Sequence, residues 1–115
     1  MKPEQVMQIN LVNWFGWAYP DYKEDLHHFA NERKCSYNEG RTLKRMSVQA
    51  GVLDLFLALP RQNWGGLWLE LKITPNELTK EQKEFMKRKQ KNGYVCAAVW
   101  DKWEEGKDII IEYLK

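Results

Sequence analysis

Two apolar segments of strand length each carry charged residues in their interior. Residues 52–59 are VLDLFLAL, with Asp54 inside the run, and residues 67–73 are LWLELKI, with Glu70 and Lys72 inside it. The turn between them contains two adjacent glycines, so the two runs are predicted to pair as an antiparallel hairpin. A charge within an apolar strand is costly to bury unless it is paired or binds a metal. These three residues therefore constrain both the fold and the chemistry.

The spacing of the charged residues places them together. Glu70 and Lys72 are two positions apart and share one face of their strand, while alternate residues point to the other face. In the hairpin, Asp54 is expected opposite Glu70. Two carboxylates at that distance repel each other unless a cation lies between them, and oxygen ligands suit Mg²⁺ or Mn²⁺. Lys72 can then act on a water molecule or on phosphate charge. A buried ion-paired triad without catalysis is the alternative, and spacing alone does not decide between them.

Helices are predicted on both sides of the hairpin in the chain. Residues 3–18 form the first, with Val6, Ile9 and further apolar residues at helical spacing. Thr79 is predicted to be the N-cap of a second helix, with Gln82 completing a capping box. This helix ends before an Asn-Gly pair.

The remaining segments complete a mixed sheet. A short strand is predicted over residues 25–31 and an apolar strand over 94–100, while residues 39–47 are either a helix or a loop. Residues 102–114 are predicted as a final helix, with an edge strand over 108–113 as the alternative. The fold class is therefore α/β, a mixed sheet flanked by helices.

Composition indicates one soluble domain over residues 1–115. Apolar residues make up 43% of the chain and charged residues 30%, and no apolar run is long enough for a membrane span. The N-terminus lacks the apolar run of a signal peptide, and Cys35 and Cys96 are far apart. A cytoplasmic protein without a membrane partner is expected. His27 and His28 are adjacent and would face opposite sides of a strand, so no zinc site is expected there.

The basic residues are clustered although the net charge is only +2. One cluster lies in the segment 80–91 and the other in the segment 33–45. Such clusters can bind a polyanion, or they can be solvated helix faces. The basic residues of most interest are Arg41, Lys44, Arg45, Lys80, Lys83 and Lys87.

The acidic and basic positions resemble a known nuclease signature. Asp54, fifteen intervening residues, and then Glu70-Leu71-Lys72 resemble the D…ExK pattern of the PD-(D/E)XK superfamily. More narrowly, the chain resembles a stand-alone, phage-like VRR-NUC domain, the virus-type replication-repair nuclease. Leu53 departs from the pattern, because the superfamily name has proline there. The blocks that carry the resemblance, in the family's order, are Glu4-x-x-x-Gln8, Gly51-Val52-Leu53-Asp54, Leu69-Glu70-Leu71-Lys72, Leu78-Thr79-x-x-Gln82 and Gly93-Tyr94.

The resemblance implies a restriction-endonuclease-like core and a Mg²⁺- or Mn²⁺-dependent DNA endonuclease. It implies that Asp54, Glu70 and the Leu71 carbonyl ligate the metal and that Lys72 acts on the attacking water. Glu4 would complete the metal site, although an exposed first-turn carboxylate is the alternative. Gln82 would reach the catalytic site, although its capping-box role explains it almost equally well.

The resemblance also implies the partners. Branched DNA such as a Holliday junction would be cut to 5′-phosphate and 3′-hydroxyl ends, in DNA repair within a bacterial or phage-infected cell. A symmetric junction needs two cuts, so a homodimer is expected. The six basic residues named above are predicted to bind the DNA backbone. The rival interpretation is a non-catalytic nucleic-acid-binding or assembly module with the same fold.

Overall fold

The computed structural model describes residues 1–29 and 37–115, with only the backbone of Tyr37. In these ranges the chain forms a mixed four-stranded sheet with helices packed on both faces. A short 3₁₀ helix, Pro20–Asp25, precedes the first strand. The other elements are α1 Pro3–Ala18, β1 Leu26–His28, α2 Tyr37–Arg45, β2 Leu55–Leu57, β3 Leu67–Lys72, α3 Lys80–Lys91, β4 Val95–Trp100 and α4 Trp103–Leu114.

The sheet has the strand order β1-β2-β3-β4. β2 is antiparallel to both β1 and β3, whereas β4 is parallel to β3. The predicted hairpin is confirmed, with Leu55 opposite Leu69. Its first strand is shorter than predicted, because β2 begins only after Asp54. The Asp54 N–H donates to a side-chain oxygen of Glu70 and not to a strand carbonyl, so the regular ladder does not reach this residue.

One face of the sheet is covered by α1 and α4. The leucines of β2 and β3 on this face pack against Met7, Leu11 and Phe15 of α1. The predicted helix is confirmed, although Val6 and Ile9, whose spacing indicated the helix, are exposed. Apolar residues lie on most sides of this helix, so their spacing alone does not select the buried side.

The α4 helix confirms the helical prediction for the end of the chain, and the alternative edge strand is wrong. Gly106 is buried where α4 meets α1, and a Cβ at this position would lie 3.0 Å from Leu11 Cδ2. The glycine lowers helix propensity but allows the two helices to approach closely.

The opposite face of the sheet is covered by α3. Leu53, Trp68 and Phe85 are buried there, with Phe56 and Tyr94 packed around them. Trp68 and Phe85 meet edge to face, with ring centroids 4.9 Å apart. The two faces of β3 therefore differ in composition: leucines face α1 and α4, while Trp68 and the charged residues point the other way.

The other predicted elements have mixed outcomes. The ambiguous segment 39–47 contains the end of α2, and the predicted strand over 94–100 is confirmed. The strand predicted over 25–31 is present as Leu26–His28, and its remaining residues after Phe29 lie outside the described ranges, as does Cys35. None of the described helices is both long enough and apolar enough to cross a bilayer.

Candidate active site

A cleft of about 630 Å³ opens beside the predicted acidic residues. The start of α1 lines it with Glu4 and Gln8, and the loop before β2 lines it with residues 50–52 and Asp54. β3 adds Glu70, and the first turn of α3 adds Gln82. Four segments distant in sequence therefore bring the predicted acidic and amide side chains to one cleft.

The register of β2 and β3 places Asp54 against Glu70. The Asp54 N–H donates to Glu70 Oε1 at 3.1 Å, and the Leu71 N–H donates to Asp54 Oδ2 at 2.9 Å. Each carboxylate thus accepts a hydrogen bond from the backbone of the other strand segment. The predicted juxtaposition of the two carboxylates is present in the structure.

Gln82 joins the α3 cap to Glu70. Its side-chain Oε1 accepts from the Thr79 backbone N–H at 2.9 Å, and its backbone N–H donates to Thr79 Oγ1 at 3.1 Å. These two hydrogen bonds form the predicted capping box. Its Nε2 donates to Glu70 Oε2 at 3.0 Å. From the sequence, the capping role and the reach to the site were competing explanations of Gln82. In the structure its Oε1 caps the helix while its Nε2 contacts Glu70.

Glu70 has a strongly shifted pKa. Burial and, to a smaller extent, the neighbouring Asp54 carboxylate raise the pKa of its carboxyl from an ordinary value of 4.5 to about 8. Lys72 opposes this shift, because its Nζ lies 3.6 Å from Glu70 Oε2. Both side chains are almost fully buried, with residue exposures of 4% for Glu70 and 8% for Lys72.

Glu4 reaches the same cleft from the first turn of α1. Its Oε1 accepts a hydrogen bond of 3.1 Å from Asn76 Nδ2 in the loop after β3. Gln8 lies one turn further along the same side of the helix and also lines the cleft. The N-terminal block of the predicted motif therefore faces the acidic pair.

The donor chemistry of this cleft fits a hard divalent cation. Asp54 and Glu70 are adjacent carboxylates, and the pKa of Glu70 is raised first by burial and second by Asp54. A positive charge between the two carboxylates would stabilise them. Within the described residues no three acidic, histidine or cysteine side chains come close enough together to complete a metal site. The remaining ligands would be water and backbone oxygen, as Mg²⁺ commonly accepts. The ligand role of the Leu71 carbonyl stays a prediction.

Gly51 fixes the loop that carries Asp54. It has a φ of +87°, and a Cβ there would lie 2.5 Å from the Glu81 carbonyl carbon. Only glycine allows the loop to adopt this conformation against the first turn of α3. The glycine of the motif therefore brings the loop and the helix together, next to Gln82.

β1 contributes two contacts that the sequence did not predict. His28 Nδ1 lies 2.9 Å from the Asp54 carbonyl oxygen, and the Phe29 N–H donates to the same oxygen at 2.9 Å. The phenyl ring of Phe29 packs on Trp68 with centroids 5.4 Å apart. His28 and Asp54 are 26 residues apart, and no local pattern in the sequence indicates that pairing.

The predicted DNA-binding residues lie on two exposed helical surfaces. Arg41, Lys44 and Arg45 are exposed on α2, and Lys80, Lys83 and Lys87 are exposed on α3. Lys89, also on α3, instead lies over the rings of Trp68, Phe85 and Tyr94, at 5.3–5.7 Å from their centroids. The sequence did not separate this packed lysine from the exposed ones.

Comparison with known proteins supports the same fold. A solved structure titled "VRR_NUC domain protein" superimposes with a TM-score of 0.84 and 24% sequence identity, covering 99% of this chain and 89% of that one. This chain has the VRR-NUC fold. The resemblance stated from the motifs is thereby confirmed for the fold. No protein-family model and no curated protein matches the chain.

The shifted pKa of Glu70 predicts a pH dependence of stability. The folded chain without metal retains a proton that the unfolded chain releases near pH 4.5, so folding stability falls as pH rises from 4.5 to about 8 and then levels. Thermal melts of the parent and of Glu70→Gln are compared in EDTA between pH 5 and pH 9. The melting temperature of the variant should fall less with rising pH than that of the parent. Parallel melting curves across this range would contradict the shifted pKa.

Proposed function

We propose that residues 1–115 are one nuclease domain that hydrolyses phosphodiester bonds in DNA with Mg²⁺ or Mn²⁺. The observation that carries the proposal is the partly buried contact of Asp54 with Glu70 at the cleft, where Lys72 and Gln82 also contact the Glu70 carboxylate. The fold shared with a solved VRR_NUC domain protein supports it, and so do the sequence blocks that resemble this family.

Asp54, Glu70 and the Leu71 carbonyl are the proposed metal ligands. Glu4 lines the same cleft from α1, but among the described residues it does not form a three-carboxylate group with them, so we propose that it joins them only when the metal binds. A bound Mg²⁺ or Mn²⁺ would supply Lewis-acid activation of the phosphate and of water. Gln82 holds Glu70 Oε2, so the carboxylate keeps one orientation as it loses its proton. Asn76 holds Glu4 in a comparable way.

Lys72 is the proposed catalytic cation. Its ammonium group contacts Glu70 and is almost fully buried, so little water screens its charge. It can orient the attacking water and stabilise the negative charge that develops on the phosphate. The 5′-phosphate and 3′-hydroxyl products follow from attack at phosphorus with departure of the 3′ oxygen.

The proposed substrate is branched DNA such as a Holliday junction, and the proposed assembly is a homodimer. The exposed basic residues of α2 and α3 supply the charge for backbone contacts, and two protomers would supply the two cuts of a symmetric junction. The proposed setting is DNA repair in the cytoplasm. A cleavage panel of junction, flap and duplex DNA, with a solution mass measurement, tests these details.

Metal dependence tests the proposal directly. Mg²⁺ and Mn²⁺ should support cleavage of branched DNA, while Ca²⁺ should support DNA binding with little turnover, because its longer bonds and higher coordination number misplace the water. Asp54→Asn should abolish cleavage while keeping the fold. Full activity in EDTA would refute metal dependence, and a gel shift without cleavage under every metal would favour a non-catalytic binding module.

Lys72→Ala separates catalysis from structure. If Lys72 is catalytic, the variant should keep its DNA affinity and lose cleavage by about 10²–10⁴-fold. If the triad is only a structural ion pair, removal of Lys72 should cost roughly 3–5 kcal/mol, and melting temperature and activity should fall together. Normal cleavage per folded molecule, from a variant that melts early, would decide for the structural interpretation.

The α3 surface predicts a salt-dependent DNA contact. Replacing Lys83 and Lys87 together by Gln should weaken binding of all DNA sequences and reduce the salt slope by about one unit per lost phosphate contact. A matched control replaces Lys102 and Lys115, which are exposed near the two ends of α4 and carry the same charge. Equal salt slopes for both double variants would contradict a specific role of α3.

A further inference from the structure

His28 lies in the wall of the acidic cleft, although no motif includes it. It is the last residue of β1 and is exposed, and its ring lines the same cleft as Asp54 and Glu70. His28 Nδ1 is 2.9 Å from the carbonyl oxygen of Asp54. The adjacent His27 alternates to the opposite side of the strand.

The chemistry of the acceptor determines which histidine nitrogen carries a hydrogen. A carbonyl oxygen accepts and cannot donate, so a hydrogen bond at this distance requires the hydrogen on Nδ1. The Asp54 carbonyl thus accepts two hydrogen bonds from β1, one from the His28 ring and one from the Phe29 N–H. Both bonds hold the same peptide group.

This peptide group sets the direction of the Asp54 carboxylate. Asp54 precedes β2, and its N–H is bound to the Glu70 side chain. The backbone of Asp54 is therefore held on one side by the Glu70 side chain and on the other side by His28 and Phe29. Rotation of this peptide would move the carboxylate away from Glu70.

We propose that His28 is a positioning residue for the metal site, acting through its Nδ1–H on the Asp54 carbonyl. The proposal rests on the proposed function, because it assigns His28 a part in holding the metal-binding carboxylate. Polar groups that hold a ligand in place commonly contribute roughly 10–100-fold to metal affinity or activity. His28 acts through the backbone and belongs at the lower end of that range.

Three substitutions at this position separate the two ring nitrogens. His28→Asn places an amide N–H close to the position of Nδ1, His28→Gln places one close to Nε2, and His28→Ala removes both. His27→Ala is the matched control, since it removes the neighbouring imidazole from the opposite side of β1. All four variants are compared with the parent in Mn²⁺ affinity by electron paramagnetic resonance and in DNA affinity with Ca²⁺.

The expected result is a loss confined to the metal site. His28→Ala and His28→Gln should weaken Mn²⁺ binding by about 10-fold, while His28→Asn and His27→Ala stay close to the parent. DNA affinity should not change, and cleavage by His28→Ala should recover at saturating Mn²⁺. Unchanged Mn²⁺ affinity in all His28 variants, or equal loss in all three, would overturn the proposal. If His28→Gln kept the Mn²⁺ affinity and His28→Asn lost it, the role would belong to Nε2. That result would also overturn the proposal, which assigns the role to Nδ1.

Asp54→Asn distinguishes failure of this proposal from failure of the proposed function. If Asp54→Asn weakens Mn²⁺ binding strongly and His28→Ala does not, the metal site stands and the role of His28 is refuted. If neither variant changes Mn²⁺ affinity, the assignment of Asp54 as a metal ligand is itself refuted.

Discussion

The contact between Asp54 and Glu70 sets the requirements that the surrounding structure satisfies. Two like charges beside a buried strand repel each other and lose hydration, so the pair is stable only where donors and a positive charge compensate. Two backbone N–H groups, the Gln82 amide and the Lys72 ammonium supply that compensation. Even so, the pKa of Glu70 rises to about 8, so without a metal the pair retains a proton near neutral pH. The side chains around the pair therefore compensate its negative charge only in part.

The start of α3 and the acidic pair form one structural unit. Thr79 and Gln82 define the first turn of the helix, and the free end of the same Gln82 amide orients Glu70. Gly51 packs against the backbone of Glu81 in that turn and continues into the loop that ends at Asp54. A shift of the helix start by one residue would separate Gln82 from Glu70 and displace the loop. Helix capping and site geometry thus depend on the same contacts.

The sequence predicted the parts of the structure that local patterns determine. The hairpin followed from two apolar runs and a glycine turn, and the proximity of Asp54 and Glu70 followed from strand periodicity. The buried side of α1 was not predictable from Val6 and Ile9, because apolar residues surround that helix and packing with α4 selects Leu11. The contacts of His28 with Asp54 and of Lys89 with Trp68 were also beyond prediction, since these partners lie far apart along the chain. In the strands, periodicity indicated which side chains share a face. Long-range packing determines the buried side of α1 and the partner of His28.

Leu53 shows why the departure from the superfamily pattern leaves the acidic pair intact. Its side chain is fully buried with Trp68 and Phe85 beneath α3, so it contributes apolar volume behind the site. Asp54 is held by hydrogen bonds with Glu70, Leu71 and Phe29, and these bonds do not involve the Leu53 side chain. A proline at this position would supply a fixed φ, but the conformation of this loop is already set by Gly51 and by the β1 contacts. Residue 53 therefore needs only to fill the apolar space under the helix, and the position of Asp54 does not depend on a proline before it.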